Sequence, residues 1–260
     1  MSDGPQVYKG RRRVFLVMPA LDEEQAIGRV LADLPPGWVD ACVVADNGSK
    51  DRTAEIAAAA GAHVVPEPRR GYGRACLTAL DAVYARGQVP GAPGAPAQED
   101  DVIAFLDADY SDFPEDLPNL LKPVLAGEAE MVLGSRVMGG ASLRALLPQA
   151  WFGNRLACFL MRVLYGVSYT DLGPFRAIRA GALESLGMVD EGFGWTVEMQ
   201  IKVAQAKLPT REVPVRYRER IGQSKITGTL SGTLRAGYRI LAWILGHRLR
   251  GFFRRSSRAG

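Results

Sequence analysis

Short apolar runs and amphipathic stretches take turns along the chain. Residues 14–18 are continuously apolar and read as a strand. In 22–34, Ile27, Val30, Leu31 and Leu34 recur at helical spacing, and Pro35-Pro36-Gly37 ends the pattern. Strands follow at 41–45 and 62–65, separated by an Ala-rich helix over 51–60 that Gly61 closes, and 73–85 reads as a further helix. Strands are predicted at 101–106, 130–133, 175–178 and 210–215, with helices at 150–164 and 196–206. This alternation predicts an α/β fold, a mostly parallel sheet with helices on its faces.

Residues 87–98 (GQVPGAPGAPAQ) interrupt the pattern without changing it. They read as an exposed, flexible surface loop, taken as 87–99, because the next strand resumes the alternation. One domain is therefore expected over 1–228. From 229 a long helical pattern begins, with Leu234, Tyr238, Leu241, Leu245, Leu249 and Phe252 on one face and Arg235, Arg239 and Arg250 off it. The expectation for 229–260 is a basic amphipathic helix and tail. Such a stripe suits a helix docked on its own domain and, equally, one lying on a membrane surface.

Composition narrows the chemistry. With 260 residues, 47% hydrophobic and 23% charged, the chain is long enough for one large domain with a sizeable core. Cys42, Cys76 and Cys158 are scattered and odd in number, which reads as free thiols in a reducing cytoplasm. His63 and His247 are the only histidines, so carboxylates must carry most metal or acid–base work. Lys9, Arg11, Arg12 and Arg13 precede an apolar stretch too short for a signal peptide, and no 18-residue apolar run occurs. The formal charge of +4 hides a split: from residue 201 onward 14 Lys/Arg face two acids, a local +12. A basic end of this kind suits nucleic acid, anionic lipid or a phosphorylated substrate. No nucleic-acid reading motif accompanies it, so nucleic acid is not expected as a partner.

The strongest chemical signal is Asp107-Ala108-Asp109, where an apolar strand ends in two carboxylates. Ligands of parallel α/β sheets bind beyond the carboxyl ends of strands. Mg²⁺ or Mn²⁺ favours hard oxygen ligands and bridges one or two carboxylates to substrate phosphates. Asp46 closes another strand, at the cleft edge, where an acid can accept hydrogen bonds from a ribose or base. Asn47-Gly48 there reads as a turn, with Ser49 or Asp51 capping the next helix. A third strand end gives Pro19-Ala20-Leu21-Asp22-Glu23-Glu24, whose acids also suit a helix N-terminus. Arg69-Arg70-Gly71-Tyr72-Gly73-Arg74 precedes a helix and reads either as a phosphate-holding start or as a solvated loop.

MPALDEE, VADNGSKDRT, PRRGYGRA, FLDADYSDFPEDL, LGSR, DLGPFRAIR and the Glu198 segment occur in one order over most of the chain. This set resembles the family 2 glycosyltransferases of GT-A fold, in particular the polyprenyl- (dolichyl-) phosphate mannosyl- or glucosyltransferases. The resemblance implies that Pro19, Ala20, Asp22 and Glu23 lie along the nucleotide and that Asp46 contacts base or ribose. It implies that Gly71 and Arg74 border the base pocket, and that Asp107, Ala108 and Asp109 serve ribose, diphosphate and metal. Arg136 of Gly134-Ser135-Arg136, with Asp171 and Arg176 of Asp171-Leu172-Gly173-Pro174-Phe175-Arg176, would belong to the acceptor side. Lys225 of Gln223-Ser224-Lys225 would hold phosphate. Arg176 and Glu198 also admit a plainer reading, as an internal ion pair. Two departures stand out: Asn47 occupies a place where such turns usually carry a second acid, and Ser111 one where a glutamine is often found.

An acceptor hydroxyl needs a general base, whereas a phosphate monoester, with a second pKa of about 6, does not. Hydroxyl-transferring relatives tend to place a Glu-Asp pair where this chain has Glu198-Met199. The expectation is therefore transfer from a UDP-glucose- or GDP-mannose-type donor to polyprenyl phosphate. The enzyme would work with Mg²⁺ or Mn²⁺ at the cytoplasmic membrane face, as a peripheral protein or beside a membrane partner. The rivals are a hydroxyl acceptor, with Asp171 or Glu198 as base, and a non-catalytic nucleotide-sugar-binding scaffold.

Overall fold

A computed structural model of the chain describes residues 12–141 and 148–222, together with Pro5, Tyr8, Gly10, Trp243, Ile244 and Gly246. Most of the predicted amphipathic segment 229–260, and Lys225, lie outside the described residues.

Seven strands form one sheet: β1 (Val14–Ala20), β2 (Ala41–Asp46), β3 (His63–Pro66), β4 (Val102–Phe105), β5 (Met131–Ser135), β6 (Arg176–Arg179) and β7 (Thr210–Pro214). The helices are α1 (Ile27–Ala32), α2 (Thr53–Ala59), α3 (Tyr72–Val83), α4 (Leu117–Leu125), α5 (Pro148–Tyr165), α6 (Ala180–Leu186) and α7 (Trp195–Ala206). Strand order is β3-β2-β1-β4-β6-β5-β7. β6 runs antiparallel to β4 and β5, and the other pairs are parallel.

The period-2 alternation of strand side chains builds a core on each face of the sheet. Phe15 and Val17 join Val43, Ile103 and Phe105 beneath α3, α6 and α7. Val14, Leu16 and Met18 point the other way, to Val30, Ala57, Leu117 and Leu120. Both faces are covered, which is why these strands read as unbroken apolar runs rather than alternating ones. The order of strand addition reverses between β1 and β4, because β2 and β3 extend one way from β1 and the parallel β4 lies on its other side. A cleft is expected outside the strand ends at such a switch point.

Helices α4 and α6 have no counterpart in the sequence expectation, and two predicted segments differ from it. The helix expected from residue 22 starts only at Ile27, because 22–24 are tied sideways to the β2–α2 turn. The 87–98 segment is mostly exposed, but Ala92 is buried in the core and Arg13 donates to Gly94 O and Pro96 O, so this loop is fastened to the domain.

Candidate active site

A cleft of ≈ 210 Å³ opens at the carboxyl ends of β1, β2 and β4. Of the residues singled out in the sequence, Pro19, Ala20, Glu23, Gly71, Asp107, Ala108 and Asp109 line it. Asn47, Arg70, Tyr72, Phe193 and Arg220 line it as well.

Asp107 and Asp109 follow β4 directly, and burial dominates their chemistry. Burial, and then the charge of Asp109, pushes the Asp107 carboxyl up to about 7. The Tyr72 hydroxyl opposes this by donating to Asp107 Oδ1 at 2.9 Å. Asp109 Oδ1 accepts from Ser111 N at 2.9 Å, and its Oδ2 lies 3.3 Å from Arg220 Nη1. The same guanidinium reaches Glu23 Oε1 at 2.5 Å, so Arg220 bridges the β1 turn and the β4 turn across the cleft. Among the described residues no cluster of three or more His, Cys, Asp or Glu side chains can hold a metal alone. Two crowded carboxylates fit a hard divalent cation that takes its remaining oxygens from substrate phosphate and water.

The strip before Lys225 is anchored onto this turn. Arg218 N donates to Ser111 O at 2.9 Å, and Ile221 N to Asp109 O at 3.0 Å. The Arg218 guanidinium covers the Tyr110 ring at 3.3 Å. These contacts bring Arg220 to the cleft, and no sequence signal distinguished Arg220 from its neighbouring arginines.

Asp46 does not line the cleft; its Oδ1 accepts from Ser49 N at 3.3 Å. Asn47 sits at the edge instead, and its amide explains the departure noted in the sequence. Nδ2 donates to Glu67 O at 3.0 Å and to Arg69 O at 2.7 Å, while Oδ1 accepts from Gly71 N at 2.9 Å. An aspartate has no N–H to donate, so only an amide can make all three bonds. Asp22 is turned toward the neighbouring loop, accepting from Lys50 N at 2.7 Å. Ser49 does not cap α2: its hydroxyl accepts from Asp22 N at 2.9 Å, tying the two turns together.

The α3 N-terminus does not serve as an open phosphate cradle. Gly73 N and Arg74 N donate to Gly192 O and Glu191 O at 3.1 and 3.0 Å, which uses donors a phosphate would need. A Cβ on Gly71 or Gly73 would lie 2.1 Å from Glu191 O or 2.0 Å from Asp190 O. These glycines therefore permit close approach of the 190–192 backbone. Arg74 is held by Glu67 at 2.7 Å and Glu191 at 3.3 Å rather than facing the cleft.

Outside the cleft lining, Arg136 grips Asp171 as a fork, Nε to Oδ2 and Nη2 to Oδ1 both at 2.7 Å. Burial would raise Asp171, but the charge and hydrogen bonds of Arg136 outweigh it and hold the carboxyl below the usual range. Glu198 is fully buried, accepting from Val189 N at 2.9 Å and Asp190 N at 2.7 Å and pairing with Lys202 at 2.7 Å. The ion pair between Arg176 and Glu198 is thus replaced by one between Lys202 and Glu198. Arg176 is buried and donates only to backbone carbonyls, Thr196 O at 3.0 Å and Gly173 O; no carboxylate pairs with it among the described residues. Burial lowers its guanidinium to about 10. Asp112, quoted within the β4 motif but given no role, is buried with both carboxylate oxygens unpartnered among the described residues. Burial pushes its carboxyl well above the ordinary range.

Comparison with known proteins shows the family and the fold. A dolichyl-phosphate hexose transferase of Haloferax volcanii is 34% identical over 242 residues, covering 90% of this chain and 95% of that one. A polyprenol monophosphomannose synthase of Mycolicibacterium smegmatis is 27% identical over 264 residues, 95% of this chain and 93% of its own. Among solved structures, the glucosyl-3-phosphoglycerate synthase of Mycobacterium tuberculosis, crystallised with Mn²⁺, UDP and phosphoglyceric acid, superposes with a TM-score of 0.72 at 23% identity. That match covers 94% of this chain and 81% of the synthase, and it shows a shared GT-A fold. The family model described as "Glycosyl transferase family 2" matches residues 15–187, from the first strand of the sheet through the carboxylate turn, Arg136 and Arg176, and the chain belongs to that family of glycosyltransferases.

Proposed function

We propose that the enzyme transfers a sugar from a nucleotide diphosphate-sugar of UDP-glucose or GDP-mannose type to a polyprenyl phosphate at the cytoplasmic face of a membrane. The observation that carries this reading is the state of the two candidate bases. Asp171 is neutralised by Arg136 and Glu198 is buried under backbone donors, so neither is presented to an acceptor hydroxyl. A phosphate acceptor needs no base at neutral pH. It needs cationic partners, and Arg176 is a buried guanidinium with no carboxylate beside it among the described residues. Relatives named for dolichyl-phosphate and polyprenol-phosphate products support the same class of acceptor.

In this reading the nucleotide lies along the β1 and β2 ends, against Pro19, Ala20 and Asn47, with Phe193 and Tyr72 walling the cleft. Asp107 and Asp109 would hold Mg²⁺ or Mn²⁺, which supplies charge stabilisation to the departing diphosphate. Arg220, between Glu23 and Asp109, stands where it can add a second positive charge to that diphosphate. The acceptor phosphate oxygen attacks the anomeric carbon with inversion as the bond to the departing diphosphate breaks. Lys225 follows the anchored 217–221 strip and is assigned to phosphate.

The test is transfer from radiolabelled nucleotide sugars into organic-extractable lipid, with polyprenyl phosphate and Mg²⁺ or Mn²⁺ present. Label in lipid that EDTA abolishes is the expected result, and it names the donor. Water-soluble glycoside without lipid product would replace the acceptor by a hydroxyl compound. Binding of donor without turnover on any acceptor would leave a scaffold.

A further inference from the structure

Exposed large apolar side chains are concentrated in one stretch of the chain. Six large hydrophobic side chains are exposed among the described residues, and five of them fall between 137 and 163: Val137, Met138, Phe152, Phe159 and Val163. The inner face of α5 is spent on the core, where Ala157, Cys158 and Met161 pack with Val197, Ile201 and Ile244. Phe152, Phe159 and Val163 are 64%, 61% and 62% exposed on the opposite face. Their spacing puts them on one stripe of a 3.6-residue helix. Arg155 and Arg162 stand exposed beside them, with the Arg155 guanidinium 4.8 Å over the Trp151 ring.

Charge tells which partner suits this face. Residues 131–170 contain four arginines and no Asp or Glu, in a chain with 28 acids. We infer that the outer face of α5, with the Val137-Met138 edge, is a seat for an anionic lipid bilayer: rings enter the interface and arginines meet headgroup phosphates. Two other covers fit less well. Residues 223–260 carry eight Lys/Arg and no acid, so laying them over Arg155 and Arg162 sets like charge on like. Ile244, from that same stretch, packs on the inner face of α5, where its carbonyl accepts from Tyr165 at 2.7 Å. A second copy in two-fold contact would oppose the same arginines to themselves. The inference deepens the lipid-phosphate reading and rests on it for its purpose: Val137 and Met138 directly follow Arg136, so this seat would set the acceptor side of the cleft at the membrane surface.

The experiment uses the full chain and vesicles of phosphatidylcholine, alone or with phosphatidylglycerol, both free of polyprenyl phosphate. The protein should sediment with the anionic vesicles, less with the neutral ones, and progressively less as salt rises. Phe159→Glu/Val163→Glu should lower the partition coefficient at least about tenfold, and Arg155→Gln/Arg162→Gln by roughly threefold. Phe159→Ser, a milder change checked by circular dichroism, should also weaken binding. Failure of the parent chain to bind anionic vesicles overturns the inference. So does equal binding by the folded Glu variants, which would assign the binding to residues 223–260. A dimer that the Glu variants split, seen by light scattering, would assign the face to a second copy. Because no acceptor lipid is present, these outcomes do not depend on the transfer assay; if only the seat is lost, transfer to a short-chain, water-soluble polyprenyl phosphate stays at the parent level.

Discussion

In the proposed reading, the donor and acceptor sides of the enzyme treat buried charge in opposite ways. On the donor side, Asp107 and Asp109 crowd together and Asp107 rises to about 7. On the acceptor side, Asp171 is depressed because Arg136 binds it through two nitrogens and its own backbone N–H. The acceptor side carries its neutralising partner within the fold, whereas the donor side leaves negative charge only partly answered by Arg220. Such a difference separates a scaffold from a binding site: buried charge that the fold satisfies sets the shape, and buried charge it leaves open awaits a ligand.

The largest expected effect attacks the satisfied pair. Asp171→Ala strands the half-buried-to-buried guanidinium of Arg136 and should cost about 3–5 kcal/mol of folding stability in denaturant titration. The double change Arg136→Met/Asp171→Leu should recover most of it, whereas an unrecovered loss would mean that the pair does more than neutralise itself. On the open side the cost should appear in turnover. Asp109→Ala should cut transfer about 10²–10³-fold while denaturation midpoints hold or rise, since it relieves repulsion. A matching loss of stability would erase the contrast between the two sides.

Acid should then push the two sides in opposite directions. The Asp107 carboxyl moves from an ordinary 3.8 to about 7 on folding. Its contribution to metal-free stability is therefore complete below the unfolded value and is lost as pH rises through about 7. Asp171, depressed in the fold, contributes stability above its unfolded value that is lost as pH falls through the folded one. Comparing the pH dependence of unfolding for the parent and Asp107→Asn isolates the first term. In the proposed metal site Mn²⁺ would displace the Asp107 proton, so affinity by calorimetry should fall up to about tenfold per pH unit below 7. The smallest effect belongs to Tyr72→Phe. Removing its hydrogen bond to Asp107 should weaken Mn²⁺ binding at neutral pH by about 1 kcal/mol, roughly fivefold, with little change in stability.

Much of the architecture was written into the local pattern. Each predicted strand within the described residues forms, because a continuous run such as Val14–Met18 suits a strand covered on both faces. The sequence pattern does not announce helix α4, although Leu117, Leu120, Leu121, Val124 and Leu125 keep helical spacing. Pro118 and Pro123 obscured it, yet Pro118 sits in the first turn, where a missing N–H costs nothing. The reversed direction of β6 had no local signal, since a strand's apolar pattern is the same in either direction.

The sequence by itself determined the α/β class, the carboxylates at the end of β4 and the shortage of histidine that makes oxygen ligands carry the chemistry. Those are properties of neighbouring residues, which composition and spacing report. Tertiary structure alone decided that Arg220 reaches back 197 residues to Glu23. It also decided that Asn47 is a cross-tie, that Glu198 pairs with Lys202, and that Arg136 has a carboxylate partner while Arg176 has none among the described residues. Charge alone gives these acids and arginines similar prospects. Which of them are answered from within depends on which strand ends the sheet order brings together, and residues far apart in the chain carry no local record of that meeting.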